Sequence, residues 1–350
     1  VQDIGIWLTG SNNQIGDVGV GNVIGRNVDS GIWSTDGTGN LIQGNTLKAN
    51  HDTAITFTGT SAQNLVGGTT NGEGNVITAT TNAPALGVSV DSTSTDNAII
   101  GNSITNNDGL GIDLGAAYGN GVTANDGGDI DGGANDGQNF PDLVAPADGS
   151  TTVDLSLDAP AGDYRIEVFT NPSDGAHRSG YGEGEVLFAT TTVTHTGSGV
   201  ETFSLDLSGL AVGDVLSATA TEEFAGPTYG VTSHFSPALT VLSSRAAATL
   251  TVNSTGDDAD ADLSDGVCDT GATNSEGDPE CTLRAAIRTA GTAAAADTID
   301  FVIPDSDPNH RYYRDDTAAG LSTVATTTLA DGAITDFDPD YPVAPFSWWN

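Results

Sequence analysis

The sequence predicts an all-β chain: a right-handed parallel β-helix, then an Ig-like β-sandwich, then a small disulfide-containing cap segment with one short helix. Three observations predict this order. Short apolar phrases recur as ordered triplets over residues 1–115. Longer alternating strands, separated by turn signals at roughly ten-residue spacing, fill 143–244. One amphipathic stretch, "CTLRAAIRTAG" at 281–291, lies among strands in the last part of the chain. The expected domains are a β-helix at 1–118, an Asp/Gly-rich junction at 119–142, a sandwich at 143–244 and a cap at 245–350 that belongs to a following β-helix.

The repeat has three phrases. The first is "GIWL" at 5, "GIWS" at 31, "AITF" at 54, "GVSV" at 87 and "GIDL" at 111. The second starts with Asn: "NQIG" at 13, "NLIQ" at 40, "NLVG" at 64 and "NAII" at 97. The third is "GNVI" at 21, "GNTL" at 44, "GNVI" at 74 and "GNSI" at 101. Alternation places Ile6, Ile32, Ile55, Val88 and Ile112 on one inward stack, and Ile15, Ile42, Val66 and Ile99 on another. With about 4.8 Å between neighbours the stack is roughly 20–25 Å tall. The recurring Asn and Gly suit corners, where left-handed backbone is common and Asn side chains form ladders. The two ends of such a stack are unpaired edges that need covers.

Composition narrows the function. Nine Lys+Arg stand against 47 Asp+Glu, for a net charge of −38. Nucleic acid is excluded as a partner, because phosphate binding needs clustered basic residues. No 18-residue apolar run is present, so membrane insertion through a helix is not expected. The sequence opens directly in β pattern without an export leader, which reads as a mature portion or one unit of a longer protein. Asp greatly outnumbers Glu, which points to turns and oxygen-rich cation sites. Adaptation to a salty medium gives the same surplus.

The junction supplies the clearest candidate cation site. Asp126, Asp129, Asp131, Asn135 and Asp136 crowd into "NDGGDIDGGANDG", with Gly between them. Hard cations want six to eight oxygens at about 2.4 Å, so Ca²⁺ is the expected cofactor here. Asp113, at the end of the last coil, is a further candidate ligand. A second candidate set is Asp258, Asp260, Asp262 and Asp265. In the sandwich, Tyr164, Ile166, Val168, Val186, Phe188, Phe203, Leu205 and Leu216 form the expected inner face. His177, His195 and His234 lack metal spacing and read as surface residues.

Cys268 and Cys281 have neither a CxxC partner nor a nearby His, so zinc is not expected. A local disulfide worth about 3 kcal/mol is the reading, with an extracellular or cell-surface location; two free thiols are the alternative. Thr282 is the expected N-cap of the helix, and Gly291 its stop. Leu283, Ala286, Ile287 and Ala290 share one face, and a helix this short must lay that face on something.

"CTLRAAI", preceded by "TVNSTGDD" and "DGVCD" and followed by "ADTIDFVI", resembles the CSLREA domain. In that family the motif opens a right-handed parallel β-helix, which implies a lid on the first coil. Ala285 stands where the family has Glu, so the capping box with Thr282 is incomplete. The stretches "NDGGDIDGGANDGQNFP", "YRIEVFTNP" and "SGYGEGE" are similar to modules that follow β-helices in large bacterial surface proteins.

The expected function is therefore that of an extracellular structural repeat unit. The chain stacks on itself head-to-tail, as separate copies or as a covalently continuous repeat, into a rigid acidic filament or stalk stabilised by Ca²⁺. The expected interface is Ile6, Trp7 and Leu8 of one unit against Leu283, Ile287, Trp348 and Trp349 of the next. An adhesin or carbohydrate-binding module is the alternative, because Trp7 and Trp33 occupy matching outward positions on successive coils. Polysaccharide lyase or hydrolase chemistry is less supported: the coils offer only Arg26, Lys48 and His51 as basic groups, without a clustered acid set.

Overall fold

The computed structural model describes residues 2–78, 80–81, 85–115, 121–144, 152–171, 179–225, 228–242, 247–293, 295–308 and 327–328. The chain forms two compact units, Val1–Val241 and Leu242–Asn350. Strands predominate, and Leu283–Ala290 (α1) is the α-helix among the described residues.

The triplets fall into three parallel sheets, and the chain visits each sheet once per coil. The first joins Ile6–Leu8, Ile32–Thr35, Thr53–Thr58, Leu86–Val90 and Ile112–Leu114 in that order. The second joins Gln14–Ile15, Leu41–Ile42, Leu65–Gly67 and Ala98–Ile100. The third joins Val23–Gly25, Thr46–Lys48, Val76–Thr78 and Ser103–Thr105. The register is the one the alternation predicts: Ile6, Ile32, Ile55, Val88 and Ile112 are successive partners. So are Ile15, Ile42, Val66 and Ile99. These stacks, with Ile24, Leu47, Ile77 and Ile104, form one apolar core.

Asparagine columns fix the corners. Asn13 donates its backbone N–H and its Nδ2 to Asn40 Oδ1, both at 2.9 Å. Asn40 does the same to Asn64, and Asn64 to Asn97. A second column runs Asn22, Asn45, Asn75, Asn102. A third begins Asn27 to Asn50. The spare Nδ2 hydrogen turns back to a carbonyl of the coil below, as from Asn64 to Gly37 and from Asn75 to Ile42. All four hydrogen-bonding positions of an interior Asn are thus used. The residue before the Asn is left-handed at Asn12, Arg26, Ala49, Gln63, Asp96 and Asn106, and at Gly39, Gly44 and Gly101. Close approach of a neighbouring coil is why the repeat reads Gly-Asn: a Cβ at Gly21 would lie 1.6 Å from the Gly44 carbonyl oxygen, one at Gly74 1.9 Å from that of Gly101, and one at left-handed Gly101 2.2 Å from that of Gly68.

Two antiparallel sheets complete the first unit. One joins Asp142–Val144, Thr152–Leu157 and Glu201–Asp206. The other orders Val186–His195, Gly162–Asn171, Val215–Phe224 and Thr228–Thr232, with Leu239–Thr240 also on Val215–Phe224. Tyr164, Ile166, Val168, Leu205 and Leu216 form their shared core, with Phe188 and Phe203 packed on it. Val186, expected inside, is 55% exposed. Val186 is the first residue of its strand and lies opposite Thr170, beyond the core pairs Tyr164–Val193, Ile166–Thr191 and Val168–Ala189. Phe169 points the other way, joins the coil core and stacks edge-on to Phe235 at 5.4 Å.

In the second unit, Thr249–Val252 pairs in parallel with Thr298–Phe301, which pairs antiparallel with Thr327–Thr328. Cys268 and Cys281 form a disulfide. Thr282 Oγ1 accepts from the Ala285 N–H at 3.0 Å, the expected N-cap. Gly291 is right-handed (φ −65°), so it ends α1 without the left-handed stop expected of it. The helix buries Ala285, Ala286 and Thr289. Ala286 and Ala290 meet Leu250, Val252, Cys281 and Ile299, while Leu283 and Ile287 stay 42% and 46% exposed. The apolar face expected as one stripe is therefore divided: its small residues pack within the unit and its two large ones do not.

An interior column member should matter far more than an end member. Asn64→Ala removes four buried partners and is expected to cost about 2–4 kcal/mol, against about 1 kcal/mol or less for Asn13→Ala. Urea midpoints at constant m-value measure both; equal losses would refute the ladder as a main source of stability.

Candidate functional site

The junction loop is tied down by two asparagines. Asn139 Oδ1 accepts from the Asp126 N–H, and its Nδ2 donates to the carbonyls of Asp126 and Asp158. Asn125 closes the loop through both its oxygen and its nitrogen to Phe140. This brings Asp126, Asp129 and Asp131 together, one carboxylate oxygen of each within 4.8 Å of the others. Asp131 Oδ1 lies so close to left-handed Gly137 that a Cβ there would sit 2.2 Å from it.

Charge in this loop is poorly balanced. Asp129 is pushed up to about 7, first by burial and then by Asp126, Asp131 and Glu222, although the Asn139 N–H donates to it. Asp126 Oδ1 is buried and accepts no hydrogen bond among the described residues. Burial raises Asp131 as well, with help from Asp126. Three carboxylate oxygens in this arrangement offer half the ligand set of a hard cation.

Other expected ligands lie elsewhere. Asn135 is fully buried and heads the first corner column: its Oδ1 accepts from the Asn97 N–H, and its Nδ2 donates to the Asn97 and Thr232 carbonyls. This amide is the last rung of that column. Asp136 faces Asp96 and Glu222, each of which it pushes up after burial has done so. Asp113 is 1% exposed on the last strand of the first sheet and lies outside the trio. In the second unit Asp258, Asp260, Asp262 and Asp265 are not gathered into a ligand group. Asp260 accepts from the Thr289 hydroxyl and the Asp262 N–H, Asp262 from Ser264, and Asp265 from the Val267 N–H. Those carboxylates organise their own loop, and the Asp258 carbonyl accepts from Thr282 Oγ1.

The last coil is covered by groups that the sequence did not advertise. Glu183 accepts from Asn107 Nδ2 at 2.7 Å and from its N–H, closing the third column. Glu167, fully buried, accepts from the Gly101 N–H at 2.8 Å and pairs with Arg165. Thr232 Oγ1 accepts from the Ile99 N–H. His234 donates Nδ1–H to the Ile112 carbonyl, and its Nε2 accepts from the N–H groups of Leu114 and Thr123. His234 and His195 are buried, contrary to the surface positions expected; His177 lies outside the described residues. The nearest sequence signal was Glu167, a charged residue inside the alternating strand "YRIEVFTN".

At the other end of the stack Ile6 and Leu8 are half-buried against the core, and Trp7 is 67% exposed. Trp7 and Trp33 are register partners, and the Trp33 indole N–H donates to Thr58 Oγ1. Trp348 and Trp349 lie outside the described residues. No protein-family model matches the chain, and no curated protein matches it either.

The covered end predicts a defined pH response. Burial lifts Glu183 to about 7, above its unfolded value, so this group costs stability as pH rises from about 4.5 to 7. Burial lowers His234 to about 4, so it costs stability as pH falls from about 6.5 to 4. Glu183→Gln is expected to stabilise the fold at pH 8 relative to its effect at pH 4.5. Thermal melts across that window measure this, and a pH-independent difference would exclude the assignment.

Proposed function

We propose that this chain is an extracellular structural repeat unit. Its parallel sheets form a right-handed β-helix, its antiparallel sheets an Ig-like sandwich, and its second unit a CSLREA-like cap for a neighbouring β-helix. Units stack head-to-tail into a rigid acidic filament or stalk. The observation that carries this reading is the inequality of the two ends. The last coil is closed by Asn135, Glu167, Glu183, Thr232 and His234. The first coil, by contrast, pairs on one side only among the described residues, and Leu283 and Ile287 are a second apolar surface without cover within their own unit. A disulfide with no free cysteine supports an oxidising compartment.

The Asp126–Asp129–Asp131 group supports Ca²⁺ as a stiffening cofactor of the junction. Exposed Trp7 beside Trp33 supports the alternative of a glycan-binding surface, since stacked aromatic faces suit sugar rings. The reading assigns no catalytic role to Lys48 or His51.

Two measurements test the proposal. Sedimentation velocity of the full chain should show oligomers that grow with concentration; a single monomeric species up to high micromolar would reject stacking between copies. Ca²⁺ at about ten times its dissociation constant should raise the melting temperature by about 2–4 °C. Asp129→Asn should remove that rise, and an unchanged melt on adding Ca²⁺ or EDTA would reject the cation.

A further inference from the structure

The corner columns have a direction. In each column the lower Asn donates N–H and Nδ2–H and the upper Asn accepts through Oδ1. The last coil must therefore meet acceptors, and it does: Asn135 Oδ1 heads the first column and the Glu183 carboxylate the third. The first coil is the converse. Asn13 and Asn22, both exposed, donate onward, and among the described residues their own Oδ1 atoms accept nothing. This face displays the acceptors of exposed Asn13 and Asn22 beside the half-buried Ile6 and Leu8, with the carboxylate of exposed Asp17 on the same coil.

The exposed side of α1 has the complementary chemistry. Leu283 and Ile287 flank Arg284, and Arg288 follows, so two of the nine basic residues of the chain sit on this short helix. Arg284 bonds Asp257 through Nε and Nη2, which leaves further guanidinium N–H groups for another acceptor. Like faces do not suit each other: two first coils would oppose acceptors and carboxylates, and two helices would oppose guanidinium groups.

We propose that the first coil is a hydrogen-bond-acceptor face that docks the α1 face of a second copy. Leu283 and Ile287 cover the apolar opening, and Arg284 donates to the Asn13 and Asn22 corners. This rests on the head-to-tail reading and adds its chemistry and its polarity. A heterologous contact of this kind does not close on itself, so growth is open-ended in one sense.

The test is complementation between two surface variants of the full chain. Asn13→Ala/Asn22→Ala removes the acceptors and keeps α1; Ile287→Glu spoils α1 and keeps the acceptors. Each alone should sediment as a monomer, and an equal mixture should give dimers that grow no further. Circular dichroism and thermal melts establish that both are folded. Should the asparagine variant fail to fold, Arg284→Gln takes its place and is expected to weaken association at least about tenfold. A folded asparagine or arginine variant that assembles like wild type overturns the acceptor-face proposal while leaving head-to-tail stacking in place. Failure of the mixture to dimerise overturns the polarity. A wild-type chain that stays monomeric removes both.

Discussion

A corner asparagine in this structure does two things at once. It hydrogen-bonds its counterparts in the coils above and below, and it holds the preceding residue in the left-handed region. For Arg26, Ala49 or Gln63 that backbone costs on the order of 1–2 kcal/mol. Four hydrogen bonds per interior amide offset it, in a buried setting where leaving them unmade would be expensive. The inward isoleucines supply most of the apolar burial, yet they specify only which face is inside. The amides specify how far the chain travels before it turns, and so they keep strands of adjacent coils in register.

The same amides create a problem at the last coil, where columns of donors would end in an apolar environment. The antiparallel sheet meets it with its polar face. Residues 164, 166 and 168 serve the sheet's own core, and the alternate positions Glu167 and Phe169 serve the coil. One strand thus takes part in two cores. The cost is ionisation: Glu183 and His234 are held where their charged forms are disfavoured. The two costs run in opposite directions over nearly the same pH range, so their slopes largely cancel between about pH 4.5 and 6.5.

Much of the fold was legible because its signals are local or periodic. The triplet repeat set the strands, the inward residues and their partners, and Gly-Asn marked corners. The disulfide and the Thr282 cap were legible for the same reason. What failed was long-range. Glu183 meets Asn107 across 76 residues and His234 meets Leu114 across 120, and no spacing rule reaches so far. Histidines without metal spacing were read as surface residues, yet two of them are buried. Asn135 looked like one more oxygen in an Asp/Gly run, because composition cannot tell a ligand from the last rung of a column. Val186 fits an inward alternation, yet it is the first residue of its strand, and alternation does not mark where burial stops.

The strands lie across the long direction of the stack, and the bonds between coils lie along it. Tension along that direction therefore loads the coils in series, and the weakest one parts first while the rest stay intact. Compression, by contrast, is borne by packed isoleucines and by close carbonyl contacts at the glycine corners. Such a stack resists crushing more than it resists separation of its coils.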